Sequence, residues 1–313
     1  MTRVDVIREG LVQRAFWVHQ RIGDGIRIGI SQSEETVTES ILLDIALQVP
    51  NIQVKTFTRK QEAATGADWE WWWEGERYWF GMLVQAKRLH HNTSGQPWYE
   101  FWHATRESRY GPWVKQVDQL LEASRQCGLP AIYVLYNGPQ PNRVSSCPLG
   151  NSYGVYNGVT FITAEVAKKF ASHRKVSLAE IMPHARPWSC LLCDPERCPG
   201  GSDRPRTAKL RRISSEYGLK SSDLANRAYS AVYSGGLNLP LLRDSRSEDR
   251  GTSSPFELLT IRGGGAATWS SDDEWENLAR QAMREEPPPY VRNASSADAE
   301  SYAQRLLVMR RSG

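Results

Sequence analysis

The 313-residue sequence lacks the marks of several protein classes. It contains no run of 18 apolar residues, which argues against a membrane-spanning helix. Its first residues, MTRVDVIREG, carry no apolar stretch of the kind found in secretory leaders. Cysteine is scarce: there are five, an odd number, mostly close together. A disulfide framework is therefore not expected, and free thiols or metal ligands are. These absences predict a cytoplasmic protein that does not engage a membrane. The glycine-rich RGGGAAT (262–268) lacks the Lys-Ser/Thr that follows in a phosphate-binding loop. No segment repeats. Neither sign of charge dominates, with 39 Lys and Arg against 35 Asp and Glu, a net charge of +4. That balance permits nucleic-acid binding without arguing for it.

What is present suits a globular chain: 40% hydrophobic and 24% charged residues, long enough for one large domain or two ordinary ones. Apolar spacing predicts helices over 6–22 and 36–49, the second ended by Pro50, with a turn or short extended piece over 24–31. IQVKTFTR (52–59), ADWEWWW (67–73) and YWFGMLVQAKRL (78–89) read as strands, the last two as an antiparallel hairpin across Gly75. A helix is expected over 112–127, with Pro112 near its start and Gly128 at its end. AIYVLYN (131–137) reads as a buried strand, and 158–172 as a strand followed by a helix. This order predicts an α/β fold, a three-layer sandwich around a mixed central sheet, over about residues 1–200. Residues 201–313 are richer in Ser, Gly, Arg and Pro clusters and predict a mostly helical or irregular region. Helices are expected there near 220–232, 272–284 and 297–310, joined by flexible linkers.

The hairpin poses the chemical question, because it sets charges among tryptophans. Side chains alternate faces along a strand, so Asp68, Glu70 and Trp72 share one face and Trp69, Trp71 and Trp73 the other. On the next strand Gln85 and Lys87 share a face, so Asp68, Gln85 and Lys87 can meet at one end of the sheet. An acid, an amide oxygen and the Ala86 carbonyl are hard oxygen donors suited to Mg²⁺. Lys87 would orient or help deprotonate an attacking water and stabilise developing charge. The plainer reading is a cross-strand Asp68–Lys87 ion pair on a solvated face, with the tryptophans as packing.

The arrangement GAD…QAK resembles the PD-(D/E)XK, or restriction-endonuclease-like, nuclease superfamily. Asp68 matches the Asp of its second motif, and Gln85-Ala86-Lys87 its (D/E)XK motif with Gln in the acidic position, a variant like that of Mrr-type nucleases. The longer pattern TES…TGADWEWWW…VQAKRL…QVDQLLEA…AIYVLYN also looks like an uncharacterised bacterial family assigned to this fold, over about residues 10–195. The resemblance implies a Mg²⁺- or Mn²⁺-dependent nuclease that acts on DNA in anti-phage or restriction-type defence and leaves 5′-phosphate ends. It implies metal ligation by Asp68, Gln85 and Glu39, the matching Glu of the first core helix, with Glu70 as a further acid. Glu39 also reads as the end of a capping box opened by Thr36. Gln116, or Gln119 one turn on, matches the polar residue on the following helix, and Arg88 would hold a backbone phosphate. A homodimer, or a sensor or activator protein, would help such an enzyme act. Gln85 in place of an acid equally suits a non-catalytic nucleic-acid-binding or assembly module on the same fold.

HARPWSCLLCDPERC (184–198) places Cys190 and Cys193 at knuckle spacing, with Cys198 following. With His184, His173 or Cys147 as a fourth ligand, the set could hold structural Zn²⁺; buried free thiols are the alternative. His90-His91 could touch phosphate or lie in a solvated loop. RPRTAKLRR (204–212) could contact a nucleic-acid backbone or be a solvated basic loop.

Overall fold

A computed structural model describes residues 3–48, 52–55, 62, 64–91, 95–105, 113–139, 157–193, 204–235, 272–286, 288–289 and 306–309. Val4, Ile7, Leu11, Ala15, Val18 and Ile22 recur at three- and four-residue steps, and all are buried along one stripe of helix α1 (Arg3–Ile28). The turn expected from residue 24 begins only at Gly29, whose φ of 74° stops the helix. Gly23 inside the helix answers to close packing instead, since a side chain there would meet the Pro139 ring at 2.5 Å. Helix α2 (Glu34–Gln48) buries Val37, Ile41, Leu42 and Ile45. The Ser33 hydroxyl accepts from the Thr36 N–H at 3.0 Å, so the helix opens at Ser33. Thr36 lies inside the first turn, and the capping box expected between Thr36 and Glu39 does not form.

The central sheet is built from β1 (Ile52–Lys55), β2 (Trp69–Glu74), β3 (Trp79–Arg88), β8 (Ala131–Tyr136), β9 (Val159–Thr163), β11 (Arg186–Pro187) and β13 (Leu306–Met309). Its order is β1-β13-β2-β3-β8-β9-β11. The β13–β2 and β3–β8 pairs run parallel and the other neighbours antiparallel, so the sheet is mixed. The strand β12 (Met283–Arg284) pairs with the start of β3. Short ribbons flank the sheet: β4 (His90–His91), β5 (Pro97–Tyr99) and β10 (Val176–Ser177) form one, and β6 (Ala104–Thr105) with β7 (Val114–Lys115) another.

Helices cover both faces, as an α/β sandwich requires. On one face Trp69, Trp71, Trp73, Val84 and Ala86 pack with α1, α2 and the helix Leu224–Gly235. On the other, Trp72, Leu83, Tyr133 and Leu135 pack with α3 (Gln116–Cys127) and α4 (Ala164–Phe170). The hairpin therefore splits its tryptophans between the layers as alternation demands. Trp71 meets Trp69 and Trp73 edge-on, at centroid distances of 5.9 and 5.5 Å.

Three expectations are corrected. Helix α3 begins at Gln116, because Val114 and Lys115 pair with Thr105 and Ala104 in the β6–β7 ribbon. Residues 306–309 form a strand between β1 and β2 in place of the end of a helix over 297–310, the ladders on both sides satisfying their backbone groups; residues 297–305 lie outside the described residues. The basic stretch at 204–212 is part of a helix, Arg204–Glu216, that buries Leu210 and Ile213. Its Arg212 is paired with Glu216 and Glu276. The segments beyond residue 200 thus add helices to the core and two strands, β12 and β13, to the sheet.

Candidate functional site

Gly66 fixes where Asp68 can go. It has a φ of 68°, and a Cβ there would lie 2.6 Å from the Gln116 carbonyl oxygen. Only glycine lets the chain pass this close to the first turn of α3 in that conformation. Two residues on, the Asp68 N–H donates to the Val84 carbonyl at 2.8 Å, extending the β2–β3 ladder by one residue and setting Asp68 beside Gln85.

A hydrogen-bonded chain follows. Asp68 Oδ2 accepts from Gln85 Nε2 and from the Ala86 N–H, both at 2.8 Å. Gln85 Nε2 also donates to the Ala86 carbonyl at 3.0 Å, and Gln85 Oε1 accepts from Gln116 Nε2 at 2.8 Å. Gln116 Oε1 is buried without a hydrogen-bond partner among the described residues. Lys87, on the same face, is 12% exposed and lies 3.6 Å from Glu34 Oε1. The other Glu34 oxygen accepts from the Arg88 N–H at 2.9 Å. Asp68, Gln85, Lys87, Gln116 and Glu34 line one pocket of about 320 Å³, together with Glu35, Glu62, His90, Glu100 and His103. Five carboxylates thus line the cleft together with Lys87. Burial and the neighbouring Arg88 hold His90 below the ordinary imidazole range.

Of the residues expected at this site, Asp68, Gln85, Lys87 and Gln116 come together. Two acids do not. Glu39 is exposed one turn further along α2, and Glu34 stands in the cleft in its place. Glu70 is buried and accepts from Trp72 Nε1 at 3.0 Å, outside the pocket lining. The first residue of α3, Gln116, is bonded to Gln85 beside Asp68, while Glu70 lies within electrostatic reach of its last, Cys127. Arg88 turns to Ser31 Oγ at 2.7 Å and approaches His90 Nδ1 at 3.5 Å, lining an adjoining recess. His90 and His91 belong to the β4 ribbon, and His90 borders both cavities.

Glu34, Glu35, Glu62, Glu100 and His103 were not read from the sequence as site residues. Only the first two carried a signal: acids just after a serine, where a helix N-terminus favours negative charge. The rest reach the cleft through non-local packing.

The described members of the expected zinc set do not lie together. No three His, Cys, Asp or Glu side chains converge to hold a metal among the described residues. His184 packs against Phe170, with ring centroids 5.7 Å apart, on the α4 side. Cys190 and Cys193 are buried thiols in the opposite layer. His173 is exposed next to Ser172, while Cys147 and Cys198 lie outside the described residues.

Fold and site define a class: an α/β protein with helices on both faces of a mixed sheet and an acid, an amide and a lysine at one mouth of its central hairpin. The chain belongs to the family of unknown function DUF6615, whose model matches residues 7–313. No curated protein matches it.

Proposed function

We propose that this protein is a divalent-cation-dependent nuclease of the restriction-endonuclease-like fold that hydrolyses phosphodiester bonds, with DNA as substrate. The observation that carries the reading is the convergence of Asp68, Gln85, Ala86 and Lys87 in one carboxylate-lined pocket. The donor set fits Mg²⁺ or Mn²⁺. Asp68 Oδ2 and the Ala86 carbonyl both face a single hydrogen-bond donor, the Gln85 amide nitrogen, at 2.8 and 3.0 Å. Two hard oxygens aimed at one partially positive group are what a hard cation would use. Asp68, the Ala86 carbonyl and Gln85 would hold the ion, Gln85 through the oxygen that accepts from Gln116 in this structure. When bound, the cation supplies charge neutralisation at the scissile phosphate and activation of water.

The chain's own residues do the rest. Lys87, nearly buried and steadied by Glu34, donates to the attacking water or to a non-bridging phosphate oxygen as charge builds. The water attacks phosphorus in line, the bond to the 3′ oxygen breaks, and a 5′-phosphate and a 3′-hydroxyl result. Arg88, at the adjoining recess, is placed to hold a neighbouring phosphate. Anti-phage or restriction-type defence is the setting this chemistry suggests.

A second reading is favoured by one specific observation: Gln85 stands where the resemblance expects an acid, and its amide nitrogen bonds to Asp68 Oδ2. The protein would then bind nucleic acid without cutting it. Cleavage of supercoiled plasmid and of single-stranded circular DNA with Mg²⁺ or Mn²⁺ separates the two. The nuclease reading expects Asp68→Asn and Lys87→Ala each to lose at least about 100-fold in rate, with unchanged circular dichroism. DNA binding without cutting by any version, wild type included, would select the binding module.

A further inference from the structure

We propose that the substrate reaches the cleft as an unpaired strand whose bases stack on Trp102 and Trp113. This deepens the nuclease reading and rests on it for the identity of the polymer. Two tryptophans flanking the β6–β7 strands are exposed, Trp102 at 37% and Trp113 at 66%. The β6–β7 ribbon sets them there: Trp102 precedes the pocket residue His103, and Trp113 precedes β7. Gln116, the next residue after β7, donates its N–H to the His103 carbonyl at 2.9 Å, which ties the ribbon to the chemical site.

Two ring–cation pairs flank the pocket residues His103 and His90. Lys115 Nζ lies 4.1 Å from the Trp102 ring centroid and donates to the Ala171 carbonyl at 3.0 Å. The exposed turn His173-Arg174-Lys175 follows, and Lys175 Nζ lies 4.8 Å from the Trp98 ring centroid. Trp98 stacks on His90, centroids 4.7 Å apart and planes 23° from parallel, and His90 lines the pocket. Rings interleaved with cations fit a polymer of bases and phosphates. The cations of the Lys115 and Arg174-Lys175 segments attract a phosphate backbone. Stacking needs bases free of their partners, because a duplex keeps their faces to itself.

The test uses the full chain in EDTA, so that nothing is cut. Fluorescence anisotropy is followed with labelled oligothymidylate and oligouridylate of about 20 nucleotides and with a duplex of equal length. The single strands should bind at least about tenfold tighter than the duplex, and the two arms report the preferred sugar. Trp102→Ala and Trp113→Ala should each weaken single-strand binding by about 5- to 150-fold, with Trp113→Phe within about threefold of wild type. Equal or tighter binding of the duplex, unchanged binding by both alanine variants, or no binding of any oligonucleotide overturns the proposal. Plasmid cutting with no tryptophan dependence would remove this inference and keep the nuclease. Stacking as expected from a chain that cuts nothing would do the reverse.

Discussion

Asp68 and Glu70 are two carboxylates on the same face of the same strand, two residues apart, and the fold treats them oppositely. Asp68 lies at the mouth of a pocket, tied to Gln85 and the Ala86 N–H. Glu70 is buried and serves as acceptor for the Trp72 indole N–H. Their chemistry is identical and their strand position nearly so. What differs is their surroundings. Helix α3 starts at Gln116, bonded to Gln85 beside Asp68, and ends at Cys127, within electrostatic reach of Glu70. An acid at the mouth of a pocket is available to a ligand, and a buried one becomes part of the packing. The opposite face of the hairpin extends the contrast, because Trp69, Trp71 and Trp73 are fully buried there.

The largest effect should come from breaking that dry face. Trp71→Ala should destabilise the fold by about 3–5 kcal/mol in urea denaturation, through lost burial and a cavity between two tryptophan neighbours. Next, Glu70→Leu strands the Trp72 N–H and should cost about 1–3 kcal/mol. Glu70→Gln keeps an acceptor and should cost less than half as much, with the catalytic rate per folded molecule unchanged in both. A rate loss in Glu70→Gln matching that of Asp68→Asn would erase the distinction between the two acids.

The smallest expected effect is a pH dependence. Burial and the nearby Lys169 lower the His184 pKa from its ordinary value, so the folded state holds this ring neutral where the unfolded chain would protonate it. The unfolded state then binds more protons between the two pKa values, and stability must fall as pH drops below the ordinary histidine value near 6.5. The melting temperature should decline from pH 7.5 towards about pH 5.5, and His184→Gln should show a shallower decline. An equal slope in both proteins would place the linkage elsewhere.

Much of this was legible in the sequence because it was local. Period-two alternation sorted Trp69, Trp71 and Trp73 from Trp72, and the hairpin register put Asp68 beside Gln85. What escaped depended on partners far along the chain. Leu306–Met309 is a short apolar run with no periodicity of its own, and only its two neighbouring strands make it extended. Gly25 reads as part of a turn because glycine usually breaks helices, yet it lies within α1. Glu39 was chosen because it matches the Glu of the first core helix in the resembled superfamily, and Glu34 was missed because the helix opens at Ser33, three residues before the expected Thr36. Glu62, Glu100 and His103 lie on no shared element with Asp68, so no spacing could have joined them to it.

The most direct measurement is Mn²⁺ binding by electron paramagnetic resonance on wild type, Asp68→Asn and Glu70→Gln. A saturable Mn²⁺ signal in wild type and in Glu70→Gln, lost in Asp68→Asn, is the predicted result. Equal binding by all three proteins, or a loss confined to Glu70→Gln, would contradict a cation site at Asp68.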